Sequence, residues 1–69
     1  MDPNANLREQ RLIVAAVRYR REHPGERQDA ARANIEDLAR LCQLCDGLDD
    51  WLMKGGYLPD AWGQSKVRT

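Results

Sequence analysis

The sequence predicts an all-α protein built on an antiparallel helical hairpin, with helices over about residues 7–23 and 29–54. Two segments repeat apolar residues every three or four positions, which is the spacing of one helix face. A proline and a glycine separate these segments, and two glycines follow the second one. With 69 residues, of which 42% are hydrophobic, we expect one small helical domain with flexible tails at residues 1–6 and 63–69.

The first helix is predicted to begin at Leu7, because Asn6 followed by Glu9 is close to a capping box. At 100° per residue its apolar side chains share one arc, and Arg20 in this arc is expected to extend out to solvent. Pro24 should end the helix after His23, whose ring is expected to interact with the helix dipole. The predicted core face comprises Leu12, Ile13, Ala16, Val17 and Tyr19.

The second helix is predicted to begin after Asp29, a good N-cap residue, and to end at Lys54 before two glycines. Its main apolar stripe repeats like a heptad, and we expect the helix to continue through Gly47 despite the cost of that residue. The predicted stripe comprises Ala31, Ile35, Leu38, Leu41, Cys42, Cys45, Leu48 and Leu52.

Leu44 and Trp51 lie about 100° away from this stripe, so one partner helix cannot cover both sets. The irregular segment 57–62 can fold back over them, or a second copy or a foreign protein can cover them. A chain this small buries only about 60% of its unfolded surface, which favours a homodimer that forms a four-helix bundle. The predicted protein interface comprises Leu44, Leu48, Trp51, Leu52, Tyr57, Leu58 and Trp62.

Eleven basic and eleven acidic residues give no net charge, which argues against binding nucleic acid through overall charge. The charge is nevertheless uneven, since residues 1–21 carry five arginines and two acids while residues 22–53 carry three arginines and eight acids. A stripe of arginines opposite the core face of the first helix offers a nucleic-acid surface as an alternative. It comprises Arg8, Arg11, Arg18 and Arg21.

Cys42 and Cys45 form a CxxC motif and are weak candidates for a metal site between subunits. His23 is expected near the hairpin turn, far from both thiols, and the predicted stripe places both cysteines in the core. No catalytic grouping or phosphate-binding motif is evident, so we expect neither an enzyme nor a cofactor. The longest apolar run, residues 12–17, is too short for a membrane span, and we expect a cytoplasmic protein.

Residues 48–62, LDDWLMKGGYLPDAW, resemble a C-terminal pattern of small helical proteins encoded by actinobacterial phages and mobile elements. The resemblance covers about 15 of the 69 residues and implies a compact helical form in a bacterial host, without a mechanism. From the residues and this resemblance together, we expect a non-enzymatic interaction protein that self-associates and binds or modulates a host protein. A nucleic-acid-binding accessory protein is the alternative.

Overall fold

The computed structural model describes residues 1–63, which form three helices. Helix α1 spans Pro3–Glu22, helix α2 spans Ala30–Met53, and the single turn α3 spans Asp60–Gly63. The two long helices pack against each other as an antiparallel hairpin, and residues 1–63 contain no strand. The predicted all-α hairpin is therefore confirmed.

Helix α1 begins earlier than predicted. The Asp2 carboxylate accepts hydrogen bonds from the backbone N–H groups of Asn4 and Ala5, at 2.9 and 3.3 Å. Pro3 occupies the first helical turn, where its missing N–H costs nothing. The predicted start at Leu7 is wrong, since an Asp cap followed by proline already begins the helix and residues 3–6 lie within it.

The other ends of the long helices match the prediction closely. Helix α1 stops before His23, and Gly25 takes a positive φ of 92° in the turn. Helix α2 runs unbroken through Gly47. It ends in a Schellman motif, in which the Gly55 N–H donates to Leu52 O and the Gly56 N–H donates to the carbonyl of Trp51.

Polar contacts fix the register of the hairpin at both of its ends. Near the amino terminus of α1, the Asn6 side-chain amide donates to Leu44 O at 3.0 Å. Near the turn, Arg20 donates to the Asp37 carboxylate at 2.7 Å and to Asn34 Oδ1 at 3.0 Å. The Arg20 side chain is only 13% exposed, so the prediction that it extends out to solvent is wrong. The Arg20 guanidinium instead pairs with Asp37 between the two helices.

The core face of α1 differs from the predicted one. Pro3, Leu7 and Ile13 are buried, whereas Leu12 is 66% exposed and Tyr19 is also exposed. The predicted core face did not include Pro3 and Leu7. Because these two residues are buried, the packing face of α1 is turned away from Leu12. Ala16 and Val17 are half-buried at the edge of the contact.

Helix α2 packs with only part of the predicted heptad stripe. Leu48 of that stripe is buried at 4% exposure together with Leu44 at 6%, while Ile35 and Leu38 of the same stripe are 68% and 60% exposed. Rotating α2 to bury the heptad stripe would take Asp37 away from Arg20 and leave a guanidinium without its acid. The packing face of α2 therefore combines Leu44 of the second stripe with Leu48 of the heptad stripe, and Asp37 is its polar member.

The segment after α2 folds back onto the hairpin, as one of the alternatives from the sequence anticipated. Gly56 lies directly against the Trp51 ring, whose Nε1–H donates to Tyr57 O at 2.9 Å. Pro59 is fully buried, and the next backbone N–H, that of Asp60, donates to Asn4 Oδ1 at 2.6 Å. Part of this segment forms α3, where the sequence predicted no helix. The predicted tail 63–69 lies, apart from its first residue, outside the described residues.

Candidate interaction surfaces

The largest difference from an ordinary helical hairpin is an apolar stripe that nothing in residues 1–63 covers. We call it the α2 stripe, and it comprises Ile35, Leu38, Cys42 and Cys45, all exposed. The spacing of three, four and three residues keeps these side chains on one side of α2. By contrast, only Leu7, Ile13, Leu44 and Leu48 are buried hydrophobic residues in the described chain. The α2 stripe is thus comparable in extent to the core itself.

A groove runs between the two long helices beside this stripe. We call it the hairpin groove, and its volume is about 480 Å³. Leu38 belongs to both the stripe and the groove, so the two form one continuous apolar surface. The groove is lined by Ile13, Val14, Val17, Arg18, Arg21, Asn34, Leu38 and Leu41. Val14 and Arg18 also line a second depression, of about 300 Å³, that extends along α1 to Leu7 and Arg11.

The interface residues predicted from the sequence divide into three groups. Leu44 and Leu48 are covered within the chain, so they present almost no surface to a partner. Trp51 and Leu52 are half-buried beneath the returning segment. The remaining three lie on the outside of that segment as an exposed edge, and they are Tyr57, Leu58 and Trp62.

The aromatic part of this edge is held in place by contacts to α2. The rings of Trp51 and Tyr57 meet edge to face, with centroids 5.4 Å apart. Trp62 borders a shallow depression of about 230 Å³ together with Cys45, Leu48 and Leu52. Within the chain, Trp51 and Leu52 of α2 are half-buried, while Tyr57, Leu58 and Trp62 form the exposed edge.

The predicted arginine stripe is exposed along its whole length. Arg8, Arg11, Arg18 and Arg21 have no acidic partner within 4 Å among residues 1–63. The four ion pairs within the described residues form elsewhere, namely Arg20–Asp37, Arg27–Asp29, Arg40–Glu9 and Lys54–Asp50. The chain therefore holds a band of cations that its own described residues leave unmatched.

Opposite charges on α2 are left unmatched in the same way. Asp46 and Asp49 are exposed and pair with no base in the described part of the chain. Asp49 lies in the same depression as Cys45, so the acids adjoin the α2 stripe. The basic band is thus on α1 and the acidic pair is on α2, on the two flanks of one apolar surface.

Two exposed side chains, Glu9 and Tyr19, have pKa values that are shifted by hydrogen bonds. Arg40 donates to both Glu9 oxygens at 2.7 and 2.9 Å, and these bonds lower the pKa of Glu9. Tyr19 donates its hydroxyl to Glu26 at 2.9 Å, which raises the pKa of the tyrosine. The first contact joins α1 to α2, and the second joins α1 to the turn that follows it.

The cysteines do not occupy the core, and that prediction is wrong. Both thiols are exposed because α2 is rotated away from the heptad stripe, and the Cys45 thiol lies 3.6 Å from Gln10 Oε1. Within residues 1–63, no three His, Cys, Asp or Glu side chains group as a metal site. His23 is at the far end of α1, where its ring stacks on Tyr19 with centroids 4.0 Å apart.

Comparison with protein-family models, curated proteins and solved structures gave no match. No helix in the described part of the chain combines the length and apolar character that crossing a membrane requires. The exposure of the α2 stripe was not predicted from the sequence. The one available signal was Asp37, whose position one heptad before Leu44 suits an acid partner for Arg20.

Proposed function

We propose that this protein is a non-enzymatic protein–protein interaction module that self-associates through the α2 stripe into a four-helix bundle. The observation that carries this proposal is the exposure of Ile35 and Leu38 on a heptad-spaced helix face beside an apolar groove. A two-helix hairpin is a single layer, and stable domains have at least two layers around a core. A second copy supplies the missing layer.

The magnitudes are consistent with association. Burying an exposed leucine or isoleucine side chain contributes about 1.5–3 kcal/mol. Two copies bury two pairs of these side chains, about 6–12 kcal/mol in all, against an association cost of about 4–15 kcal/mol. The free energy gained by burial and the cost of association are similar. Contacts in the groove and between the flanking charges therefore determine whether the dimer is stable at working concentrations.

Light scattering across a concentration series tests the proposal, with two matched leucine variants. Leu38 and Leu12 are exposed to a similar extent on different helices, and only Leu38 belongs to the stripe and the groove. We expect the wild type and Leu12→Glu to be dimeric at about 100 μM and Leu38→Glu to be monomeric. A monomeric wild type at every concentration, or equal disruption by Leu12→Glu, would overturn the proposal.

The cysteines provide a second readout without any substitution. Cys42 and Cys45 are exposed in one copy and belong to the α2 stripe, so assembly should slow their reaction with a thiol reagent. The labelling rate should fall as protein concentration rises through the dimerisation range. A rate independent of concentration would contradict an interface at this stripe.

Binding of a host protein is the second part of the proposal. It is supported by the resemblance to small proteins of actinobacterial phages and by the exposed edge at Tyr57 and Leu58. Changing both residues to Ala should abolish capture of a specific host protein while the dimer mass stays unchanged. Loss of the dimer in this variant would instead assign the edge to self-association.

Nucleic-acid binding is a second candidate function, favoured by the four arginines on α1 that lack acidic partners among residues 1–63. Fluorescence anisotropy with a duplex of about 20 base pairs tests it at about 50 mM salt. Changing Arg11 and Arg18 to Ala should weaken binding and reduce its salt dependence, while the Arg32→Ala control on α2 should not. Absence of binding by the wild type would remove this candidate.

A further inference from the structure

Arg8 and Arg11 of the basic band lie near the height of Asp46 along the hairpin. The Asn6–Leu44 hydrogen bond and the Gln10–Cys45 contact mark this height on α1 and α2. Because the helices are antiparallel, Arg8 lies about 3 Å from Asn6 toward the turn, and Asp46 lies about 3 Å from Leu44 away from it. Arg8 and Asp46 are therefore within about one helical turn of each other in height in one copy.

They are nevertheless kept apart, because they lie on opposite outer edges of the hairpin. At 100° per residue, Arg8 lies about half a turn from the α1 face that contacts α2. Asp46 lies about half a turn from the α2 face that buries Leu44 and Leu48. One copy therefore cannot bring these charges together.

A second copy can bring them together in one simple way. A twofold axis parallel to the helices preserves height and exchanges the two edges of the hairpin. The α2 stripe of each copy then lies along the groove of the other, and the acidic edge of α2 comes to the basic edge of α1.

We propose that the dimer has this geometry, with α2 of each copy in the hairpin groove of the other and Asp46 and Asp49 of one copy facing Arg8 and Arg11 of its partner. This inference rests on the proposed self-association and adds its orientation and its charge recognition. Such flanking charges select one partner and one orientation more than they strengthen binding. They favour a second copy over an uncharged apolar helix as the occupant of the groove.

The depressions on α1 agree with this placement. The smaller one continues from Val14 toward Leu7 and is bordered by Arg11, which is where the Cys45 end of a partner stripe would lie. The groove proper reaches Val17 and Leu38, where the Ile35 end would lie. One continuous path along α1 thus matches the full length of the α2 stripe.

A charge-exchange experiment tests the geometry. The basic-edge variant carries Arg8→Glu and Arg11→Glu, and the acidic-edge variant carries Asp46→Arg and Asp49→Arg. Alone, each variant places like charges opposite each other twice in the symmetric dimer, and we expect self-association at least about tenfold weaker than that of the wild type. Mixed in equal amounts, the two variants have opposite charges at both contacts and should form a heterodimer, detected by native mass spectrometry.

Controls separate this inference from the proposed function. Arg32→Glu makes the same kind of charge change on α2, but two heptads before Asp46 and near the hairpin turn, and should leave the dimer intact. Circular dichroism verifies that each variant keeps its helices. A monomeric wild type would overturn both the self-association and its geometry. A wild-type dimer in which both charge variants still self-associate, or in which their mixture gives no heterodimer, would overturn the geometry alone.

Discussion

Gly56→Ala should destabilise the fold by about 2 kcal/mol, because a methyl group at this position would overlap the Trp51 ring. A Cβ built on Gly56 lies well inside van der Waals contact with three atoms of the indole. The φ of Gly56 is not positive, so backbone strain is not part of the effect. Overpacking of this kind costs about 1–3 kcal/mol. Swinging the ring away would also break its hydrogen bond to Tyr57 O, worth about 0.5–1.5 kcal/mol.

Thermal unfolding by circular dichroism at one fixed protein concentration measures this change. For a domain of this size, about 2 kcal/mol corresponds to a fall in Tm of about 8–16 °C. Gly47→Ala is the matched control, since a Cβ there would meet its nearest atoms at 3.8 and 3.9 Å. This control should raise Tm, because alanine is favoured over glycine inside a helix by about 1 kcal/mol.

A double-mutant cycle assigns the effect to the ring. In a Trp51→Ala background, Gly56→Ala should cost almost nothing, since the group it strikes is absent. A Gly56→Ala protein that melts within about 2 °C of the wild type would refute the close packing of the returning segment on α2.

Three other changes test the contacts that hold the hairpin together. Asp37→Ala removes the acid that the half-buried Arg20 contacts, and should lower the free energy of unfolding by about 1–3 kcal/mol in a urea titration. Arg40 lowers the pKa of Glu9 below its ordinary value of about 4.5, so their pairing stabilises the fold above that pH and is lost as pH falls through the lowered pKa. Glu9→Gln should therefore have a lower urea midpoint than the wild type at pH 7, with the difference vanishing at low pH. Removing residues 56–69 should lower Tm and increase binding of an apolar dye, because Tyr57 and Asp60 within this stretch bond back to Trp51 and Asn4.

Each of these changes has an outcome that contradicts it. Asp50→Ala removes an exposed ion pair with Lys54 and should leave the urea midpoint unchanged. An Asp37→Ala protein as stable as this control would mean that Arg20 needs no acid. A Glu9→Gln deficit that persists at pH 2 would point to lost packing instead of lost charge. A truncated protein with wild-type Tm and dye binding would show that the returning segment contributes nothing to the fold.

The helix ends could be predicted from the sequence because local chemistry determines them. Pro24 and Gly25 stop α1, and Gly55 and Gly56 supply the Schellman motif of α2 whatever the rest of the chain does. The start of α1 is also determined by local chemistry. It was predicted wrongly because Asn6 was chosen as the cap instead of Asp2.

The packing faces could not be predicted by counting apolar residues. Two stripes compete on α2, and part of the richer one, including Ile35 and Leu38, remains exposed. The long-range pair of Arg20 with Asp37 matches this rotation of the helix. Periodicity contains no information about which polar residue of one helix meets which residue of the other. The prediction of an interface was affected in the same way, because it included Leu44 and Leu48, which lie in the core.

The hydrogen bond between the Asp60 N–H and Asn4 Oδ1 joins residues that are 56 positions apart. During synthesis the hairpin can pair as soon as α2 has left the ribosome, but this closing bond must wait for residue 60. For that interval Trp51 lacks its cover and the α2 stripe is also open, so the nascent chain presents apolar surface on two sides. Folding of this protein is therefore completed when Asp60 bonds to Asn4. A partner or chaperone that binds before that step contacts an uncovered Trp51, which the folded molecule no longer exposes in this way.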